Sequence, residues 1–338
     1  MDTANPFACL SPDTVLSAAE TALGRAFDPV VTPCNSYVNR VYSLRDEEGE
    51  RFVVKFYRPG RWGKEAVAEE HAFLAECAAA ELPVVAPLPL KEGVARAGSG
   101  PIDTTDTIGE RDGILFACFP FRSGRTFDVT GDDDYLRLGS LIGRLHAVSR
   151  LARADSRVTF HPIDLTLAFC RAFADSDSLH PDMRGEFLDL CSGVLETASA
   201  RFDRSSFIRI HGDCHRGNIL DRLDEGLLLI DFDDMMTGPA VQDLWLLLPD
   251  HLESARREMG LLVEGYERFG SFDRRSLDLV ETLRFMRILY FLSWREAQKD
   301  DSLFAERNPD WGTKAFWIRE MEDLRYQARH ALASLAED

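Results

Sequence analysis

From residue 30 to residue 60 the chain alternates between short apolar runs and polar breaks. VVTPC, YVNRVYSL and RFVVKFYR are rich in β-branched and aromatic residues, with turn chemistry between them at Pro33 to Ser36 and in DEEGE, and they predict three strands. Alternation is imperfect from Arg51 to Tyr57, as in a strand covered on both faces. KEAVAEEHAFLAECAAAEL follows, a run of good helix formers that stops before Pro83. VVAPLPL and GILFACFPF predict two more strands, and the polar VARAGSGPIDTTDTIGERDG between them predicts a long exposed hairpin loop. The first third therefore reads as a small sheet with one helix.

Beyond about residue 125 the period changes. DDDYLRLGSLIGRLHAVSRL has helical spacing, with acidic residues at the end where the helix dipole favours them. Helical patterns continue over 164–176, 184–202, 240–270, 275–298 and 313–335. The exceptions are FIRIHGDCHRGNIL and LLLIDFDD, two short apolar strands leading into polar loops. The pattern predicts a β-rich N-terminal part, residues 1–121, a link near Pro120 to Gly124, and a helical part, residues 122–338.

Composition narrows the function classes. A chain of 338 residues with 45% hydrophobic and 28% charged residues suits two lobes of a globular protein. No run approaches the ~20 apolar residues of a membrane helix, and MDTANPFACL lacks the basic and apolar regions of a secretory signal. The seven cysteines are scattered and form no CxxC pair, which predicts reduced thiols and a cytoplasmic location. A net charge of −18 argues against broad contact with nucleic acid. It leaves room for a nucleotide, because a divalent metal can bridge carboxylates and phosphates.

Gly60-Arg-Trp-Gly-Lys-Glu65 is not a phosphate loop, since the glycine spacing is wrong and Glu65 stands where a hydroxyl is required. IHGDCHRGNIL crowds His211, Asp213, Cys214 and His215 together, but no second His/Cys cluster completes a zinc site. Phosphoryl transfer uses more of the sequence. Asp213 and Asn218 have the order and spacing of the kinase loop H-x-D-x-x-x-x-N, and Asp231 follows at the end of LLLI like the kinase DFG aspartate. Two strands joined by a turn would bring Asn218 and Asp231 together as oxygen ligands for magnesium. Lys55, inside RFVVKFY and ahead of a helix with Glu69 and Glu70, fits the lysine–glutamate pair that positions ATP phosphates.

HGDCHRGN followed by LIDFDD resembles the aminoglycoside phosphotransferase-like branch of the protein-kinase-like fold. NSYVNRVY and RFVVKFYRPGRW narrow the resemblance to the bacterial stress response kinase A family, cytoplasmic Ser/Thr protein kinases, with GPAVQDLWLLL a further matching stretch. The likeness runs over roughly residues 10–330. It implies a bilobal α+β fold, with a small β-rich N-lobe and a larger helical C-lobe. It implies ATP and Mg2+ as cofactors, Asp213 as proton acceptor, and Asn218 and Asp231 as metal ligands, with Asp231 counted among the catalytic groups. Lys55 would bind ATP phosphates, held by Glu70 in preference to Glu69. Ser36 would contact the nucleotide from the turn Pro33 to Ser36, and Phe119 to Phe121 would form the hinge against adenine. Asp243 would either support the catalytic loop or be a simple helix-start acid.

The resulting expectation is an ATP- and Mg-dependent Ser/Thr kinase, a monomer, that phosphorylates itself or another protein. Two alternatives stay open: a kinase for a small alcohol such as homoserine, choline or an aminoglycoside, and a silent pseudokinase. The missing GxGxxG loop and APE-type segment end put activation-loop phosphorylation in doubt.

Overall fold

The computed structural model describes residues 6–36, 38–91, 106–300 and 304–336. Tyr37 of NSYVNRVY and most of the loop expected over 94–113 lie outside these residues. The chain forms two compact units, residues 1–127 with 217–233, and residues 128–216 with 234–338. The sequence pattern suggests one cut, at 121/122; the compact units require three.

The first unit carries an antiparallel sheet ordered β1-β2-β3-β5-β4. Its strands are β1 (Thr32–Cys34), β2 (Arg40–Arg45), β3 (Arg51–Phe56), β4 (Gly109–Arg111) and β5 (Ile114–Pro120). Two helices accompany it, α1 (Pro12–Leu23) and α2 (Lys64–Ala79), where the sequence pattern suggests one. In α1 the Ser11 hydroxyl accepts the Thr14 N–H, Pro12 opens the first turn, and Gly24 closes the helix at φ 59°. Val15, Ala18, Ala19 and Ala22 of α1 bury against Phe52, Val54, Phe56 and Phe116.

VVAPLPL, expected as a strand, is not one. Pro87 and Pro89 have no N–H to give a ladder, and the described pairings are isolated: Leu88 N–H to Cys118 O (2.7 Å), Leu90 N–H to Asp106 O (2.9 Å) and a single bridge of Val84 with Leu229. The partner of β5 is instead β4, joined to it by Asp112 (φ 51°) and Gly113 (φ 79°). Two successive positive φ angles are the two-residue turn whose twist suits a hairpin.

A second, three-stranded sheet in the same unit has the order β6 (Arg125–Thr126), β8 (Ile219–Asp221), β9 (Leu227–Leu229). Its antiparallel register sets Ile219 opposite Leu229, and Leu229 N–H also bonds Pro83 O at 2.9 Å. These pairings are why residues 217–233 belong with the N-terminal part.

The second unit is mostly helical. It contains α3 (Asp132–Ser149), a π-helical turn (Pro162–Leu167) leading into α4 (Ala168–Ala174), α5 (Arg184–Ser199), α6 (Gln242–Trp245) and α7 (Arg256–Tyr266). It continues with α8 (Val280–Glu296), α9 (Phe304–Arg307) and α10 (Lys314–Ala336), and a two-stranded pair of β7 (Ile208–Ile210) and β10 (Met236–Gly238). The single helix expected over 240–270 is therefore α6 and α7, separated by a stretch containing Pro249. Where α3 meets α7, a Cβ on Gly139 or Gly143 would collide with the carbonyls of Leu262 and Tyr266. The bare glycine faces let the helix backbones touch, and Ser140 Oγ donates to Gly265 O at 3.2 Å.

Candidate active site

Within the first unit, β3 lays Lys55 among three carboxylates. Its Nζ is 3.0 Å from Asp233 Oδ1, 3.6 Å from Glu70 Oε1 and 3.7 Å from Asp231 Oδ1. Burial alone would pull the lysine down, but the facing Asp233 and Glu70 outweigh it and hold its pKa well above the ordinary value. Glu70 is buried on α2 and Glu69 only half-buried, so helical phase selects Glu70 as the lysine's partner. Tyr57 extends the group, donating from its hydroxyl to Glu70 (3.5 Å) and meeting His71 Nε2 at 2.9 Å.

Asn218 and Asp231 flank neighbouring strands, Asn218 just before β8 and Asp231 just after β9. Ile230 N–H donates to Asn218 O at 2.9 Å, so the residue preceding β8 lies beside the segment carrying Asp231. Asp231 adopts φ 63°, a left-handed conformation that aspartate tolerates better than most residues. Its side chain is 55% exposed, whereas that of Asp233 is 6% exposed. The two carboxylates of DFDD thus have opposite surroundings.

Asp233 is the residue whose importance the sequence did not reveal. Besides Lys55, it pairs with Arg61 at 2.6 Å and is hydrogen-bonded by the Asn39 side chain. Asn39 Oδ1 in turn accepts the Arg58 N–H at 3.0 Å. Burial pushes the Asp233 carboxyl up, but Lys55 and Arg61 override this and hold it far below the usual carboxylate range. NSYVNRVY and RFVVKFYRPGRW, far apart in sequence from DFDD, converge on this one carboxylate. The available signal was the pairing of a conspicuous arginine with a doubled aspartate, too common to assign alone.

In the second unit the segment His211 to Asp213 is held from behind by Asp243. His211 N–H and Gly212 N–H donate to its two oxygens at 2.7 and 2.9 Å. Gln242 Nε2 donates to Gly212 O at 3.0 Å and is itself held by Trp245 Nε1 at 2.9 Å. Of the two readings of Asp243, the support reading describes this geometry. Gly212 has φ 82°, and a Cβ there would strike the Asp234 carbonyl.

Behind Asp243 lies a further chain that the sequence did not announce. Arg150 Nη2 donates to Tyr266 Oη (2.8 Å), His146 Nδ1 is 3.1 Å from that hydroxyl, and His146 Nε2 is 2.9 Å from Asp243 Oδ2. With the arginine donating to the phenol oxygen, the phenol proton goes to Nδ1 and the imidazole N–H at Nε2 to the carboxylate. The glycine contact of α3 with α7 is what brings His146 and Tyr266 together. In sequence, His146 looks like one polar residue on an apolar helix face.

Asp213 itself is partly buried. Arg287 Nη2 of α8 lies 2.6 Å from its Oδ1, and His215 Nε2 lies 3.5 Å from its Oδ2. His211, fully buried, accepts the Asp213 N–H at Nδ1 (3.3 Å) and so braces the loop. Cys214 is buried, and burial with nearby Asp243 and Asp213 raises its thiol well above the ordinary pKa, which suits packing and not thiolate chemistry.

The remaining sequence candidates are less tightly defined. Ser36 follows β1 and is half-buried. Phe119 lies on β5 opposite Val53, with His71 edge-on at 6.1 Å. Phe121 departs from expectation in one respect. Its N–H already donates to Arg51 O (3.0 Å), and the Arg51 guanidinium sits 3.6 Å over its ring, so this N–H is engaged within the sheet edge.

Comparison with known proteins places the chain in a family. A model of the phosphotransferase enzyme family matches residues 30–280. Stress response kinase A of Escherichia coli (strain K12) is 35% identical over 325 residues, covering 96% of this chain and 94% of that protein. The chain belongs to the stress response kinase A family. As a member it is a kinase, a phosphotransferase on the kinase-like α+β fold. A further relative, from Salmonella typhimurium (strain LT2), is named serine/threonine protein kinase RdoA and is 36% identical over 326 residues, 94% of this chain and 93% of its own length. Among solved structures, amicoumacin kinase hAmiN in complex with AMP-PNP, Ca2+ and Ami has a TM-score of 0.72 at 15% identity, covering 95% of this chain and 93% of that one. In the described residues no helix is long and apolar enough to cross a membrane.

Proposed function

We propose that this stress response kinase A family member is an ATP- and Mg2+-dependent Ser/Thr protein kinase, acting as a cytoplasmic monomer on itself or another polypeptide. The observation that carries the nucleotide half is the Lys55 cluster. Three carboxylates face only two cations there, so the group retains negative charge for a divalent metal while presenting an ammonium for phosphate. The donor set suits magnesium, since Asn218 and Asp231 offer hard oxygens, and Asp231 is exposed. Magnesium there would neutralise charge developing on the transferred phosphoryl group.

The chain's own residues do the rest. Lys55, fixed by Glu70 and Asp233, binds nucleotide phosphate; Ser36 adds a contact, and the segment at Phe119 to Phe121 lines the base. Asp213 orients the acceptor hydroxyl and takes its proton as the new O–P bond forms and the bond to the ADP leaving group breaks. Asp243 holds the backbone that carries Asp213. Reduced thiols agree with a cytoplasmic setting, all seven cysteines being free.

The protein acceptor is favoured over a cationic small alcohol by Arg287, whose guanidinium lies against the proposed base. An acceptor carrying ammonium groups would meet a like charge there. The test is incubation with labelled ATP and magnesium, followed by phosphosite mapping in cell extract for wild type and Asp213→Asn. Label on serine or threonine that vanishes in the variant is expected. Undiminished transfer by Asp213→Asn, or label only on small alcohols, contradicts the reading.

A further inference from the structure

We infer that Arg287 is a specificity-determining residue that selects acceptor serines or threonines with a carboxylate side chain close by in the polypeptide. The inference rests on the proposed role of Asp213 as the base.

Both Asp213 oxygens have a neighbour, Oδ1 with Arg287 at 2.6 Å and Oδ2 with His215 at 3.5 Å. A hydroxyl that gives its proton to Asp213 must approach one of these oxygens, within ordinary hydrogen-bond reach. The Arg287 contact is the closer, and an arriving hydroxyl at Oδ1 competes with it directly. Arg287 is one-third exposed and its bond to Asp213 is to a partly exposed carboxylate, a class of ion pair that is weakly held. Displacing it is therefore easy, but it leaves a guanidinium beside the bound acceptor. A carboxylate on the acceptor restores the pairing, in a geometry that guanidinium groups favour. A neutral neighbour leaves the cation unpaired, and a basic neighbour repels it.

The rest of α8 fits a guanidinium held for this purpose. Arg284, one turn earlier, is committed to Asp250 O (2.8 Å) and lies over the Trp245 ring at 4.9 Å. Tyr290 is committed to Asp234 Oδ1 at 2.8 Å. Four residues beyond Arg287 on the same face, Phe291 is 52% exposed and stacked on Trp294 at 5.2 Å. A cation followed by an exposed aromatic surface suits a polypeptide with an acidic residue near its hydroxyl more than a free hydroxy acid.

The experiment measures kcat/KM for three serine peptides of equal length, with acidic, neutral or basic flanks, using the full chain with ATP and magnesium. Wild type is expected to prefer the acidic peptide over the neutral one by about tenfold or more. Arg287→Ala should collapse that ratio towards one, chiefly through peptide KM, with ATP KM unchanged; Arg287→Lys should retain part of it. Arg287→Glu should invert the order in favour of the basic peptide. General damage to the fold lowers all three peptides alike and leaves the ratio in place, which a structural role alone predicts. No acidic preference in wild type, a preference that survives Arg287→Ala, or faster phosphorylation of free L-homoserine than of the acidic peptide overturns the inference. Asp213→Asn, run in parallel, separates the two readings: activity surviving that change sinks the base assignment itself, whatever Arg287 does.

Discussion

The Lys55 group and the Asp213 loop hold their aspartates in opposite ways. In the first, charges hold charges: Lys55, Arg61 and the side chain of Asn39 close around Asp233. In the second, backbone amides of His211 and Gly212 sit on a fully buried carboxylate, Asp243, while Asp213 itself stays partly exposed. The first arrangement answers to any change in local charge, as its proposed binding of phosphate and metal would require. The second fixes a backbone shape and leaves Asp213 partly exposed, as its proposed role in proton transfer would require. That difference implies separable defects when either is mutated.

The largest effect should come from the loop. Asp213→Asn is expected to lower kcat by about 10²–10⁴-fold, with nucleotide affinity intact in equilibrium titration. A parallel loss of nucleotide binding would show that the two groups are not separable. Next is Asp233→Ala, which leaves Lys55 and Arg61 without their shared partner in a buried setting. It should cost about 3–5 kcal/mol in urea unfolding and also weaken nucleotide binding, a joint defect the loop variant lacks. Asp243→Asn comes third. One amide replaces a carboxylate that accepts two N–H groups, which should cost about 1–3 kcal/mol and lower kcat by about 10–100-fold without altering ATP KM.

The smallest effect concerns Glu281, near the start of α8. It accepts from Leu252 N–H (2.9 Å) and Gln327 Nε2 (2.9 Å), and meets His251 Nδ1 at 2.7 Å and Arg284 at 3.5 Å. Burial pushes its carboxyl up, yet Gln327, the Leu252 amide and His251 together leave it below the ordinary value of 4.5. A carboxyl depressed on folding stabilises above its unfolded pKa, and that contribution is lost as pH falls through the folded pKa. Glu281→Gln should therefore lower thermal stability modestly at neutral pH, where the carboxylate contributes, and flatten its fall below about pH 4.5.

How much of this was legible beforehand follows from locality. Asp213, Asn218 and Asp231 lie within nineteen residues in loops and turns beside short apolar strands, and Lys55 lies on an apolar strand, so order and spacing placed them. Glu70 over Glu69 followed from helical phase. Asp233 was hidden because its partners Arg61 and Asn39 sit far upstream, and no local pattern links them. His146 was hidden because a buried histidine on an apolar face has the same sequence signature whether or not it orients anything. The misread VVAPLPL shows propensity overruled by two missing N–H groups, and α1 shows a readable start signal, Ser11 to Thr14, passed over beside a stronger sheet pattern.

The left-handed glycine of the loop has a consequence for control. Protein kinases carry an arginine at the middle of H-R-D, and activation loops are commonly ordered by arginine pairing with an added phosphate. At residue 212 the Asp234 carbonyl leaves no room for any side chain. The molecule thus has no socket at that point for a phosphorylated segment of its own. On the proposed roles, control would then rest on what reaches Asp213.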